Sequence, residues 1–161
     1  MASLLDFCGD MPLSTVEPGT ELLTEGHRTG RLLVLAKGRI EILRGATQVT
    51  MLNEPGSVLG EMSIMLDEPH TATAKAVGPV EIYVIEDGEA FLKENPGAVF
   101  LMMRTLAKRL NSATTYLVDL KRQFAGENNH LEMVGEVLES LIFQQQRREL
   151  KPGSDRDPRL P

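Results

Sequence analysis

Two kinds of apolar spacing divide this chain. Up to Ile85, short Leu-rich or β-branched runs alternate with turns centred on Gly19, Gly26, Gly30, Gly38, Gly45, Gly56 and Gly60. Beyond it the apolar positions recur every three, four or seven residues. The first pattern predicts strands over 21–24, 31–36, 39–43, 48–52, 71–77 and 80–85. Ile40, Glu41 and Ile42 alternate with the period of a half-buried strand. Lys37-Gly38 reads as a tight turn between two apolar runs, Gly45-Ala46 as another, and Gly78-Pro79 splits the last two strands. Glu54-Pro55-Gly56 has turn chemistry, with Pro presetting φ and Gly allowing a positive one. Many short strands at this turn spacing predict a mainly β domain built as an antiparallel roll or barrel.

The second pattern predicts helices. One short helix covers 89–95 and stops before Pro96. From Ala98 to Phe124 no Gly or Pro intervenes, and Leu106, Leu110, Leu117, Leu120 and Phe124 line one face with Ala113 in the gap. Gly126 ends this helix, and Asn128 or Asn129 caps a second amphipathic one over 128–150, with Leu131, Val134, Leu138, Leu141 and Ile142 on one side. The tail KPGSDRDPRLP is polar and Pro-rich, and reads as disordered. The expected organisation is a domain over 1–125 including the long helix, an added helix over 126–150, and a tail over 151–161.

Composition narrows the function. A net charge of -6 argues against a broad nucleic-acid footprint, which needs clustered Lys and Arg. The single Cys8 can make no internal disulfide and fits a reducing, cytoplasmic compartment. No basic n-region precedes a long apolar run, and no apolar stretch is long enough to cross a membrane. With one Cys and three scattered His, no nucleophile–base set or metal cluster assembles, so the expectation is not an enzyme, with no metal and no tightly bound cofactor. Trp is absent, so Leu, Val, Ile and Met must fill the core, Met62, Met65, Met102 and Met103 among them.

One segment has an odd composition: GEMSIML at 60–66, then DEPHTAT at 67–73. Its first part reads as a single helical turn, with Ile64 and Met65 able to face a core. The first amides of such a turn lack intrahelical partners and attract anions, and Gly60 lets a ligand approach the backbone. His70 and Thr71 add a potential cation and a hydroxyl at the start of a strand. Glu61 is acidic at this place, which makes sense if the ligand also carries sugar hydroxyls. By period two, Lys75 shares a face with Thr71 and Thr73.

With EPGTELLTEG (17–26), RLLVLAKGRIEILR (31–44), LNEPGSVLGEMSIML (52–66) and EPHTATAKA (68–76), the chain resembles the cyclic-nucleotide-binding domain family. The resemblance implies an antiparallel, jelly-roll-like β-roll with a short phosphate-cassette helix and long C-terminal helices. It implies that Gly60 and the amides of Glu61 and Met62 cradle the ligand, and that Glu61 binds the ribose 2′-hydroxyl. Thr71 would donate to the cyclic phosphate, with Thr73 beside it, and Thr114 on the long helix would meet the purine edge. His70 stands where the family usually places arginine, which pairs with the phosphate. Arginine is a fixed, forked cation, whereas histidine is mostly neutral near pH 7 unless an anion raises its pKa. Lys75 is the other residue able to supply charge.

Plainer readings stand beside these. Glu61 can be a first-turn helix charge, His70 a solvated turn histidine, Thr71 and Thr73 ordinary strand residues, and His27 and His130 surface residues. The expected function is a cyclic-nucleotide sensor, for cAMP before cGMP, that signals through its C-terminal helices. The alternatives are a nucleotide-independent interaction or dimerisation module with a degenerate pocket, or the regulatory part of a transcription regulator acting through a partner. Activator-type relatives dimerise through the long helix, so a homodimer through 98–124 is expected, with a protein partner at 128–150. They also carry a winged helix-turn-helix; only one helix and a tail follow Phe124 here, so direct DNA binding is not expected.

Overall fold

The computed structural model describes residues 2–125 and 130–143. It divides into two compact units, Met1–Thr105 and Leu106–Pro161.

The first unit begins with a 3-10 turn at Leu4–Phe7, capped by Ser3, which accepts from the Leu5 amide. Eight strands follow: β1 Leu13–Val16, β2 Glu21–Leu23, β3 Leu32–Lys37, β4 Ile40–Arg44, β5 Thr47–Leu52, β6 Val58–Leu59, β7 Thr73–Ala76 and β8 Val80–Ile85. The helix α1, Glu61–Leu66, lies between β6 and β7, and α2, Gly88–Glu94, follows β8. Two four-stranded sheets form, ordered β1-β8-β3-β6 and β2-β7-β4-β5, with antiparallel pairing throughout. This is the predicted antiparallel roll with helices.

The two sheets treat their strands differently. Leu32, Leu33, Val34 and Leu35 are all buried, because the first sheet is covered on both faces. Leu33, Leu35, Val80 and Ile82 meet Leu23, Ile40, Ala74 and Ala76 of the second sheet between the layers. Leu32, Val34 and Ile85 face the other way, onto Leu4, Cys8, Phe91, Leu92, Ala98 and Met102. A strand buried on both faces must read as an unbroken apolar run, as β3 does. β5 stays exposed over Thr47–Thr50, where Thr47, Gln48 and Thr50 are polar and Val49 is exposed among them.

Lys37-Gly38 does not join a hairpin. β3 pairs with β6 and β8, whereas β4 pairs with β5 and β7, so the turn carries the chain from one sheet to the other. Gly78-Pro79 carries it back. The two crossings nest: a Cβ on Gly38, at φ 107°, would run into the Pro79 carbonyl. Gly45-Ala46, by contrast, is the two-residue loop of the β4–β5 hairpin, between the paired Arg44 and Thr47. Strands β1 and β6 were absent from the sequence prediction. Each is short, and β6 is only Val58–Leu59 beside a turn.

Asp87 caps α2 by accepting from the Ala90 amide at 3.0 Å. Pro96 then opens the long helix α3, Pro96–Gln123, where its missing N–H is no loss. Within the first unit α3 buries Ala98 and Met102.

The second unit holds the rest of α3 and α4, His130–Phe143. Among the described residues of the expected leucine stripe, Leu110 and Phe124 are exposed, while Leu106, Leu117 and Leu120 are half-buried. On α4, Leu138 is buried and Val134 and Leu141 are half-buried. The predicted extension of this helix to 150 and the tail 151–161 lie outside the described residues. No described helix is long and apolar enough to cross a membrane.

Candidate functional site

The site segment leaves β6 through Gly60, whose φ of 90° is left-handed. Only glycine fits, because a Cβ would collide with the Arg31 carbonyl. Glu61 is therefore delivered to the interior as the first residue of α1, and it is only 4% exposed. Ser63, at 6%, is buried with it and donates its hydroxyl to the Glu68 carbonyl. The Glu68 amide returns to the Ser63 carbonyl at 3.1 Å, so serine closes the exit of the helix. Asp67 ends α1 in a left-handed conformation, φ 52°.

The prediction of core methionines fails here and on α3. Met62 is 41% exposed, Met65 50% and Leu66 55%, and Met103 is exposed as well. Of the four methionines expected in the core, Met102 is the one that fills it. Ile64 packs inward as expected, against the core that holds Leu32 and Phe91. α1 thus turns a carboxylate and a hydroxyl inward beside Ile64 and leaves three apolar side chains out.

His70 is not a solvated turn residue. It is 5% exposed, and its Nε2 lies 2.9 Å from Thr29 Oγ1. Thr29 Oγ1 also accepts the Arg31 amide at 3.2 Å. The His70 amide donates to the His27 carbonyl and its carbonyl accepts from the Gly26 amide, both at 2.8 Å. Burial lowers the His70 pKa below its usual value, and repulsion from His27 lowers it further. The ring is therefore neutral at pH 7. His27 itself is exposed, as expected.

The loop 24–31, which hydrogen-bonds to this segment, was missed by sequence reasoning. It is stitched along the whole site segment. Arg28 pairs with the Asp67 carboxylate and donates from Nη2 to the Asp67 carbonyl at 2.7 Å. The Glu25 amide donates to Thr73 Oγ1 at 3.0 Å. The only trace of this in the sequence is a cluster of polar and hydrogen-bonding residues between two glycines, HRT at 27–29.

Thr71 is half-buried just ahead of β7. Thr73 and Lys75 share the face of β7 opposite the buried Ala74 and Ala76. In register, Lys75 stands between Glu21 of β2 and Glu41 of β4. Thr114 is half-buried on α3 within the second unit, whereas Gly60, Glu61, Met62, His70, Thr71 and Thr73 all belong to the first. Cys8 is buried, donates to the Leu4 carbonyl at 3.5 Å, and has a thiol pKa pushed up by burial. Among the described residues no group of His, Cys, Asp and Glu could hold a metal ion.

A roll whose second sheet receives a glycine-led turn carrying a buried glutamate has a matching description. Residues 13–94 match the cyclic nucleotide-binding domain. The chain belongs to that family. Its domain is 29% identical over 104 residues to the acetyltransferase Pat of Mycolicibacterium smegmatis (strain ATCC 700084 / mc(2)155), covering 62% of this chain and 31% of that protein. The chain thus spans under a third of that relative's length. Its fold is similar to the N-terminal domain of a transcriptional regulator from Streptomyces coelicolor A3(2), with a TM-score of 0.50, 24% identity, and coverage of 68% of this chain and 82% of that one. It is also similar to a protein of a cyclic-GMP-dependent signalling pathway that regulates bacterial phytopathogenesis, with a TM-score of 0.57, 20% identity, and coverage of 70% and 94%. PKAR CBD2 bound to Sp-2Cl-cAMPS gives 0.52 at 15% identity, covering 67% and 75%. At these identities the structural likeness concerns the fold. A domain of this family is a regulatory domain, and cyclic nucleotides are its ligand class.

Proposed function

We propose that this chain is a cytoplasmic regulatory module, not itself an enzyme, that senses a cyclic nucleotide, cAMP ahead of cGMP. The observation that carries this reading is Glu61. A buried carboxylate is stable only where hydrogen-bond donors meet it, and a glutamate built in at 4% exposure behind a glycine-only turn argues for a role. In this family's arrangement that role is to accept from the ribose 2′-hydroxyl. The amides of Glu61 and Met62, with Gly60, would cradle the ligand, and Thr71 and Thr73 would flank the phosphate. α3 and α4 would carry the change onward. Ligand can shift those helices only as far as it binds two arrangements unequally. Dimerisation through 98–124 and a protein partner at 128–150 complete the proposal, with no direct contact to DNA or membrane.

Calorimetric titration with cAMP and cGMP tests it. Binding is expected, and Glu61→Gln should weaken it about tenfold or more, the value of a charge-assisted hydrogen bond. Silence at millimolar nucleotide would end the reading. A second reading, an interaction module with a degenerate pocket, is favoured by the His70–Thr29 pair, which occupies the usual phosphate-binding side chain with a protein partner. That module would show a melting temperature indifferent to nucleotide.

A further inference from the structure

We propose that the site around Glu61 recognises the ribose-bearing part of its ligand and draws no net affinity from a phosphate, so uncharged nucleosides bind about as well as their cyclic phosphates. The inference rests on the nucleotide-sensing reading above and concerns which ligand class that site takes.

Three observations carry it. First, His70 is buried and its Nε2 is already engaged by Thr29, while both of its backbone groups are tied to residues 26 and 27. A side chain so held offers an anion neither a fixed charge nor a fork of donors. Second, the two arginines of the segments that build the site are paired, Arg28 with Asp67 and Arg31 with Glu86 at 2.7 Å, while Lys75 lies on the face of β7 opposite the buried Ala74 and Ala76, with Glu21 and Glu41 its register neighbours. Third, residues 60–76 carry Glu61, Asp67 and Glu68 against Lys75, a net charge of -2 with His70 neutral. A phosphate monoanion entering here would exchange its hydration for the neutral amides of the turn with no cation beside them, which offsets the loss without adding to affinity. A ribose loses only hydroxyl hydration and can pair with a carboxylate.

The test is calorimetry on the full chain with adenosine, cAMP, guanosine and cGMP at one pH. Each nucleoside is expected to bind with a Kd no more than about threefold above that of its cyclic phosphate. Glu61→Gln should weaken nucleoside and cyclic nucleotide together. His70→Arg should tighten cAMP about ten- to a hundredfold and leave adenosine nearly unchanged. His70→Gln, a neutral side chain that can still bond Thr29, should leave the ratio of adenosine to cAMP where it was. If wild-type protein binds a cyclic phosphate more than threefold tighter than its nucleoside, or if His70→Gln selectively loses cAMP, the inference is overturned and the nucleotide-sensing reading survives. If wild-type protein binds none of the four, or if Glu61→Gln binds them as well as wild type does, both fall.

Discussion

β3 and α1 bury opposite kinds of residue. β3 places four consecutive apolar side chains, Leu32 to Leu35, out of water, and α1 buries Glu61 and Ser63 while exposing Met62, Met65 and Leu66. They lie close together, since β6, which pairs with β3, ends at Leu59 and Gly60 follows it. The strand gains stability from every side chain it buries. The helix spends its burial on polar groups and is held instead by geometry: a glycine-only entry, a serine-closed exit and the Arg28 clasp on Asp67. A segment that gives up hydrophobic stabilisation while its backbone is closely specified is organised around a site rather than around the core.

The contrast can be broken in order of effect. Leu35→Ala, in the layer between the sheets, should cost about 2–5 kcal/mol in chemical denaturation. Gly60→Ala should cost about 1–3 kcal/mol through its left-handed backbone, with the collision at the Arg31 carbonyl adding to it. Ligand binding should suffer along with stability in that variant, and Leu35→Ala should leave affinity intact where it still folds. Acid should act on the site through His70. Its folded pKa lies below its unfolded value of about 6.5, so the unfolded chain binds the extra proton. That contribution to stability is complete above pH 6.5 and is lost as the pH falls below it. The melting temperature of wild type should therefore drop more steeply between pH 7 and pH 5 than that of His70→Gln, a difference that cancels the other titrating groups. Met65→Ser, on the exposed face of α1, should shift stability by less than about 0.5 kcal/mol. A larger loss there would mean that this face is covered.

The roll was legible because strand period and turn glycines are local properties. Ile40, Glu41 and Ile42 announce a half-buried strand on their own, and Pro96 announces a helix boundary. The Lys37-Gly38 turn was legible as a turn but not as a crossing between sheets, because which strand pairs with which depends on residues forty positions away, such as Pro79. The resemblance named Gly60, Glu61 and His70 as the carriers of the site. It could not show that α1 would leave Met65 outside the core, since a six-residue helix has too few positions for periodicity to decide its face. Thr29 was invisible for the same reason as the sheet crossing: it reaches His70 across 41 residues of sequence. Whether the 106–124 stripe is buried depends on what lies against α3, which apolar spacing alone does not specify.

The residues of β3 alternate between two separate packing layers. Leu33 and Leu35 belong to the interior of the roll, and Leu32 and Val34 to the layer formed with α2 and the start of α3. Close-packed interiors transmit displacement rather than absorb it. A slide or tilt of this one strand therefore cannot be accommodated on one side alone: the strand is a shared wall, and both rooms change shape together.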